Sequence, residues 1–309
     1  MQARFYLLLY AALLAACVST PEQQPLDTLR GEQLLEFGAQ AFRADDYPAA
    51  ASHFGKALQH YEGLDQPTGI VRSRINLAET ALASGNSAQA DLHLQAACPL
   101  ASGEMELHVR VLQSTLALQG GYYEQARMLL EPVLAGRPQD EDVYHGALAN
   151  RVEVALQADE DVTPWLARYA DSLNNGQDRF AARLHQLKAR IASQAADNET
   201  AIAELQQALA IYEALGDRPG TADTLELWAE IMFQQQHWDS ANNLFERALR
   251  IRLRLMSKQS VAANLQRLAA INEMHESSQL AATQHYWAEQ LLTDRLIDWS
   301  AMQREVLQH

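Results

Sequence analysis

Side chains able to do covalent or acid–base chemistry are few in this chain, and their spacing assembles no recognisable catalytic set. The two thiols are Cys17 and Cys98. None of the ten histidines has a second one four residues on, and His275-Glu276-Ser277-Ser278-Gln279 lacks the closing histidine that a helical zinc site needs. Gly55-Lys56-Ala57 has neither the upstream glycine nor the following Ser or Thr of a phosphate-cradling loop, so Lys56 reads as a helix-surface residue. No Gly-x-Ser-x-Gly elbow occurs, and Cys98 has no histidine placed to activate it. The acidic runs Asp140-Glu141-Asp142 and Asp159-Glu160-Asp161 stand where helices should begin, where negative charge offsets the positive end of the helix dipole. The expectation is a protein that is not an enzyme and uses neither metal nor cofactor.

The chemistry that remains lies at the N-terminus. Arg4 supplies a positive start, Phe5 to Leu14 an apolar run, and Ala15-Ala16 the small residues before a cut, the pattern of an export signal. The run is well short of the ~20 residues that cross a bilayer. Leu14-Ala15-Ala16-Cys17 also resembles the lipobox of bacterial lipoproteins. That resemblance implies a signal peptide over 1–16 and a Cys17 that becomes the first residue and carries acyl chains such as palmitate. Val18 follows where inner-membrane retention would use Asp, which implies the periplasmic face of the outer membrane. Residues 17–28 contain Pro21 and Pro25 and lack helical periodicity, so they read as acylated Cys and flexible tether, reaching at most about 40 Å. Cys98 is then the one free thiol, and its place at a helix end in Ala96-Ala97-Cys98-Pro99 predicts a buried packing role.

The elements that carry these groups are announced by alanine. Tyr47-x-x-Ala50-x-x-x-Phe54-x-x-Ala57 returns as Trp238-x-x-Ala241-x-x-x-Phe245-x-x-Ala248, with weaker copies at Ala90/Leu94/Ala97, Tyr123/Ala126/Leu130, Ala201/Leu205/Ala208 and Ala281/Ala288. Ahead of each copy runs a segment with apolar or small residues at helical spacing, as in Leu34, Phe37, Gly38, Ala41 and Phe42. Small residues at a fixed period mean helices that approach closely, so the chain should be a stack of helical hairpins. Spacings of 36 to 40 residues between equivalent alanines exceed the 34 of the standard unit. The extra length sits at junctions where Tyr61-Glu62-Gly63-Leu64, then Gly69, parallels Tyr212-Glu213-Ala214-Leu215, then Gly220.

This pattern resembles the tetratricopeptide repeat. The residues that match are Leu225, Trp228, Ala229, Met232, Trp238, Ala241, Phe245 and Ala248 in the sixth unit, and Leu34, Phe37, Gly38, Ala41, Tyr47, Ala50, Phe54 and Ala57 in the first. The second matches through Leu77, Ala78, Ala81, Gly85, Ala90, Leu94 and Ala97, the third through Gly121, Tyr123, Ala126, Leu130 and Pro138. The fourth, near 140–175, has no aromatic and alanine pair in register, and Thr163-Pro164 is its one helix-start signal. The resemblance implies an all-α, right-handed α-solenoid of about seven hairpins over residues 29–307. A long capping helix is expected over Thr283 to Leu307, with Leu292, Leu296, Trp299, Met302 and Val306 on one face.

The same resemblance puts a concave, partner-binding groove on the first helices of the hairpins. Its positions carry over to Leu35, Ile75, Val111, Gln186, Glu226 and Gln266, with a second series at Ala39, Glu79, Thr115, Arg190, Glu230 and Ala270. Leu35, Phe42, Ile75, Leu82, Val111 and Leu118 would make the N-terminal half apolar, suited to a partner's amphipathic or extended segment; the competing reading makes them ordinary core of a superhelix closed on itself. Leu35 and Ile75 replace the lysines of a carboxylate clamp, so an EEVD-like tail is not expected. A net charge of −15 with only three lysines leaves no basic stripe, which argues against nucleic acid. The expected role is an envelope scaffold docking periplasmic proteins in cell-wall, pilus or secretion assembly. A chaperone-like carrier of unfolded or lipid-bearing clients is the alternative, and an envelope hydrolase the third.

Overall fold

A computed structural model of the chain describes residues 26–173, 176–293 and 297–307. The signal at 1–16, Cys17 and the tether to residue 25 lie outside the described residues. The rest is an all-α repeat solenoid of seven hairpins: α1 Leu26–Arg43 with α2 Tyr47–Gly63, α3 Pro67–Ala83 with α4 Ser87–Ala97, α5 Glu104–Gln119 with α6 Tyr123–Gly136, α7 Glu141–Gln157 with α8 Thr163–Ser172, α9 Arg179–Gln194 with α10 Asn198–Leu215, α11 Arg218–Gln234 with α12 Trp238–Leu255, and α13 Lys258–Met274 with α14 Ser278–Leu292. A short α15, Trp299–Val306, closes the end.

The repeated alanines are where the helices touch. Ala50, Ala57, Ala90, Ala97, Ala126, Ala201, Ala208, Ala241 and Ala248 are all 0% exposed. A larger side chain there would force neighbouring helices apart. Between the helices of each hairpin one residue turns left-handed: Asp45, Gly85, Gly121, Asp159, Ala196, Gln236 and Glu276 all have positive φ. In six hairpins that residue lies two positions before the second helix. Three of the seven, Ala196, Gln236 and Glu276, are neither Gly, Asn nor Asp and are held there against the usual steric preference of L-residues, so the packed helices dictate the turn.

The fourth hairpin departs, as its weak sequence pattern foretold. Asp159 stands four residues before α8, and Arg151 holds the longer turn by bonding Glu160 at 2.6 Å and lying over the Trp165 ring. Thr163 is the first helical residue rather than the cap; Val162 takes the cap position without a side-chain bond, and Asp161 just ahead of it accepts from the Thr163 amide at 2.9 Å. Tyr169 on α8 is fully buried in the core of this unit and donates to the Phe180 carbonyl at 2.9 Å.

The Tyr-to-Gly parallel at the junctions also has a structural cause. The Tyr61 ring lies over Gly69 and Gly31, and the Tyr212 ring over Gly220, so close that an added Cβ would sit 2.2 to 2.4 Å from ring carbons. Each tyrosine thereby pins the end of one hairpin to the start of the next.

Three expectations need correction. The first helix begins at Leu26, inside the expected tether, because Pro25 is no obstacle immediately ahead of a helix start. Cys98 is exposed, because Ala97 takes the inward position and the next residue rotates outward. The terminal cap is not one long helix: α14 ends at Leu292, itself exposed, and Asp298 starts α15 by capping the Ala301 amide at 2.9 Å. The break lets the chain fold back, burying Met302 and Val306 on the last core and bringing Glu305 to the Trp287 indole N–H at 2.8 Å.

Substituting Gly220→Ala is expected to overpack the Tyr212 contact and cost ~1–3 kcal/mol in urea unfolding. Gly63→Ala, with nothing near its would-be Cβ, should be neutral or stabilise by up to ~1 kcal/mol. Equal effects at the two glycines would contradict this packing.

Candidate functional site

Four successive first helices, α5, α7, α9 and α11, face a cavity of about 540 Å³. Its apolar wall is Leu118, Leu187 and Leu227, and its polar wall includes Asn150, Glu153, Gln186, Arg190 and Asp223. A neighbouring hollow of about 410 Å³ lies on α11 and α13, bounded by Glu226, Glu230, Gln266 and Arg267.

Hydrogen bonds run across this concave face from each first helix to the next. Glu32 takes Arg72 at 2.6 and 3.0 Å, and Glu79 meets His108 at 3.0 Å. Asn150 donates to Thr115 Oγ1 at 2.8 Å and Ser114 Oγ at 3.0 Å. Arg190 grips Glu153, Gln186 donates to Thr224 at 2.9 Å, Asn264 to Glu226 at 2.6 Å and Arg267 to Glu230 at 2.6 Å. Most partners are 35 to 40 residues apart, one repeat. Behind them Arg252, 7% exposed on α12, reaches both Asp223 and Glu226. Burial alone would lower its pKa, but the two carboxylates outweigh that and raise it. Arg183 also lines the cavity and makes no hydrogen bond or ion pair among the described residues.

The sequence-derived groove residues divide into two groups. Thr115, Leu118, Gln186 and Arg190 converge on the larger cavity, and Glu226, Glu230 and Gln266 on the smaller one. Leu35, Ile75 and Val111 do not reach the groove surface; they are 5%, 4% and 6% exposed and belong to the hairpin cores. Phe42 and Leu82 pack half-buried against those cores. Of the expected apolar half-groove, Leu35, Ile75 and Val111 are therefore interior packing, and Leu118 alone reaches the larger cavity. Glu79 is half-buried and engaged by His108.

Sequence reasoning missed Asn150, Glu153, Arg183 and Asp223. The first two lay in the unit without alanine register, yet the repeat period alone points to them: Asn150 is 39 residues after Val111, and Arg190 is 37 after Glu153.

With this geometry in view, the repeat can be compared with known proteins. Residues 180–254 match the tetratricopeptide repeat family. That stretch coincides with α9 to α12 and supplies Arg183, Gln186, Leu187, Arg190, Asp223 and Leu227 to the cavity. Among solved structures, the chain resembles a Signal Transduction ATPase with Numerous Domains (STAND) protein with a tetratricopeptide repeat sensor from Pyrococcus horikoshii, with a TM-score of 0.53 and 14% identity over 95% of this chain and 47% of that one. This chain thus spans about half the length of that neighbour, and at this identity the likeness concerns the fold alone. BtubC from P. vanneervenii is 14% identical over 89% of this chain and 95% of its own, with a TM-score of 0.37, too low to carry an argument. Among curated proteins none matches. Among the described residues no group of metal-ligating side chains converges and no helix is long and apolar enough to cross a membrane.

The Glu79–His108 contact sets a pH dependence. Burial pushes the His108 pKa down, but the Glu79 hydrogen bond and charge, with Asp140 and Asp142 beyond, outweigh it and raise the value. The stabilisation is then fully present below the unfolded value of ~6.5 and fades as pH rises through the raised folded value. Glu79→Gln should lower stability by a few tenths to about 1 kcal/mol more at about pH 5.5 than at about pH 8.5. Paired urea titrations check this, and a pH-independent cost would contradict it.

Proposed function

We propose that this chain is a non-catalytic scaffold held on the periplasmic face of a bacterial outer membrane through acylated Cys17, and that it docks segments of envelope proteins in its concave groove. The observation that carries the docking role is the cavity built from four consecutive first helices. It sets leucines beside amide and guanidinium groups, a mixed lining of the kind that orients a bound segment while burying its apolar parts. The anchoring half rests on the sequence alone, on Leu14-Ala15-Ala16-Cys17 after an apolar run. The reading as a carrier of unfolded clients is less favoured, since Leu35, Ile75 and Val111 of the expected apolar half-groove are core.

A photo-crosslinking residue at Leu227, in the cavity wall, is expected to give discrete adducts with particular envelope proteins in cells. The same residue at Ser52, exposed on a second helix, should give none of them. Adducts that are missing at Leu227, or identical at both sites, would remove the docking reading. For the anchor, Cys17→Ser should abolish palmitate incorporation and shift the protein from the membrane pellet to the soluble fraction. A Cys17→Ser protein that stays with membranes would show that something else holds it.

A further inference from the structure

The superhelix meets itself. The Arg218 guanidinium, at the start of α11 in the sixth hairpin, donates to Asp45 at 2.7 Å and to the Ala44 carbonyl at 2.9 Å, both in the turn of the first hairpin. One unit further on, the turn of the second hairpin lies against the start of the seventh: a Cβ on Gly85 would be 3.0 Å from Ser257 Oγ and 3.7 Å from Gln259 Cβ. Both contacts join a hairpin to the one five units later, in the same part of the repeat. One superhelical turn therefore takes five hairpins, and successive turns touch.

This seam differs from every other junction in the stack. Neighbouring hairpins bury whole helix faces on one another, whereas the direct contacts here join turns to helix starts. Arg218 is 44% exposed, so water competes for its bonds. The seam is also incompletely filled: Tyr47, Ala51, Leu77 and Ala81 on one side and Leu255 and Met256 on the other leave a space of about 350 Å³, where packed interiors leave few voids larger than a water molecule. Asp45 is tied to the seam on both sides, since it also accepts from the Tyr47 hydroxyl at 3.3 Å.

We propose that Asp45–Arg218, with the Gly85–Ser257 contact, is a latch: closed, it fixes the superhelix at five hairpins per turn, and released, it lets the first two hairpins part from the sixth and seventh and widens the inner face, on which the cavity of hairpins three to six lies, for a partner segment. Few contacts bind the seam and many bind each hairpin, so the parting is a hinge motion between rigid stacks. What the opening serves rests on the groove reading above. The latch itself does not.

The test needs no partner. In a Cys17→Ser/Cys98→Ser background, which is soluble and free of native thiols, Asp45→Arg places like charges at the seam, and the double variant Asp45→Arg/Arg218→Asp restores opposite ones. Small-angle scattering should give a larger radius of gyration for the single variant and the original value for the double. A thiol introduced by Leu118→Cys in the cavity wall should react severalfold faster with a maleimide-bearing polyethylene glycol in the single variant, and the double should return it to the starting rate. A second route avoids charge. Gly85→Cys with Gln259→Cys places two Cβ atoms within the ~3.5–4.5 Å of a disulfide, and its oxidation should compact the chain and slow the Leu118→Cys labelling, reversibly with reductant, after the seam pair has been oxidised first. Unchanged dimensions and labelling rates in the single variant, together with no effect of oxidation, would overturn the latch. A latch that behaves as expected while Leu227 captures no envelope protein would instead count against the groove reading.

Discussion

Everything in this molecule follows from how near two helices can come. Where Ala50, Ala126, Ala201 and Ala241 sit, no side chain holds the backbones apart, and the two helices of a hairpin close on each other with nothing larger than a methyl group between them. That distance sets the tilt of each hairpin, and the Tyr61 and Tyr212 rings lying on glycine transmit it to the next. Because each unit repeats the constraint, each adds a similar rotation, and curvature accumulates without any residue being responsible for it alone. The groove is a product of that curvature.

The concave face shows how an acidic chain tolerates charge in a confined place. Glu153, Glu226 and Glu230 each meet a cation or an amide from the next first helix, so the net charge of −15 is carried elsewhere, on surfaces where water screens it. Pairing also gives the groove stiffness. Each hydrogen bond spans one repeat, so the row of bonds resists relative sliding of neighbouring first helices, while the alanine contacts resist their separation. The two sets act along different directions, so neighbouring hairpins resist both sliding and separation, and what motion remains is a change of angle between stacks.

How much of this could be read from the residues depended on whether a local rule governed them. The alanine register gave the all-α hairpin stack and the place of six of its seven units, because excluding bulk at a crossing is a property of single positions. The groove register placed Thr115, Gln186, Arg190, Glu226 and Glu230 on cavity walls for the same reason. It failed at Leu35, Ile75 and Val111, where apolarity is compatible with either face of a first helix and only the packing of the whole unit decides. Cys98 was misplaced by a single residue of helical rotation. The terminal helix was read as continuous because Leu292, Trp299, Met302 and Val306 keep helical spacing, and nothing local says that the chain must double back to cover the last core. Asn150 and Glu153 escaped because their unit has a longer turn, with Asp159 four residues before its second helix, and no alanine and aromatic pair in register to align it with the others.

Contact at a spacing of five units makes the length of each unit matter to residues far from it. Inserting or losing a single hairpin anywhere between the first and the sixth would bring Arg218 opposite the wrong turn, because every hairpin beyond the change would be rotated by about a fifth of a revolution relative to those before it. An open rod tolerates such duplications and deletions at little cost. This molecule has given up that latitude: its repeat number is counted against its own circumference, like teeth on a gear, so its sequence can drift within units far more freely than it can gain or shed them.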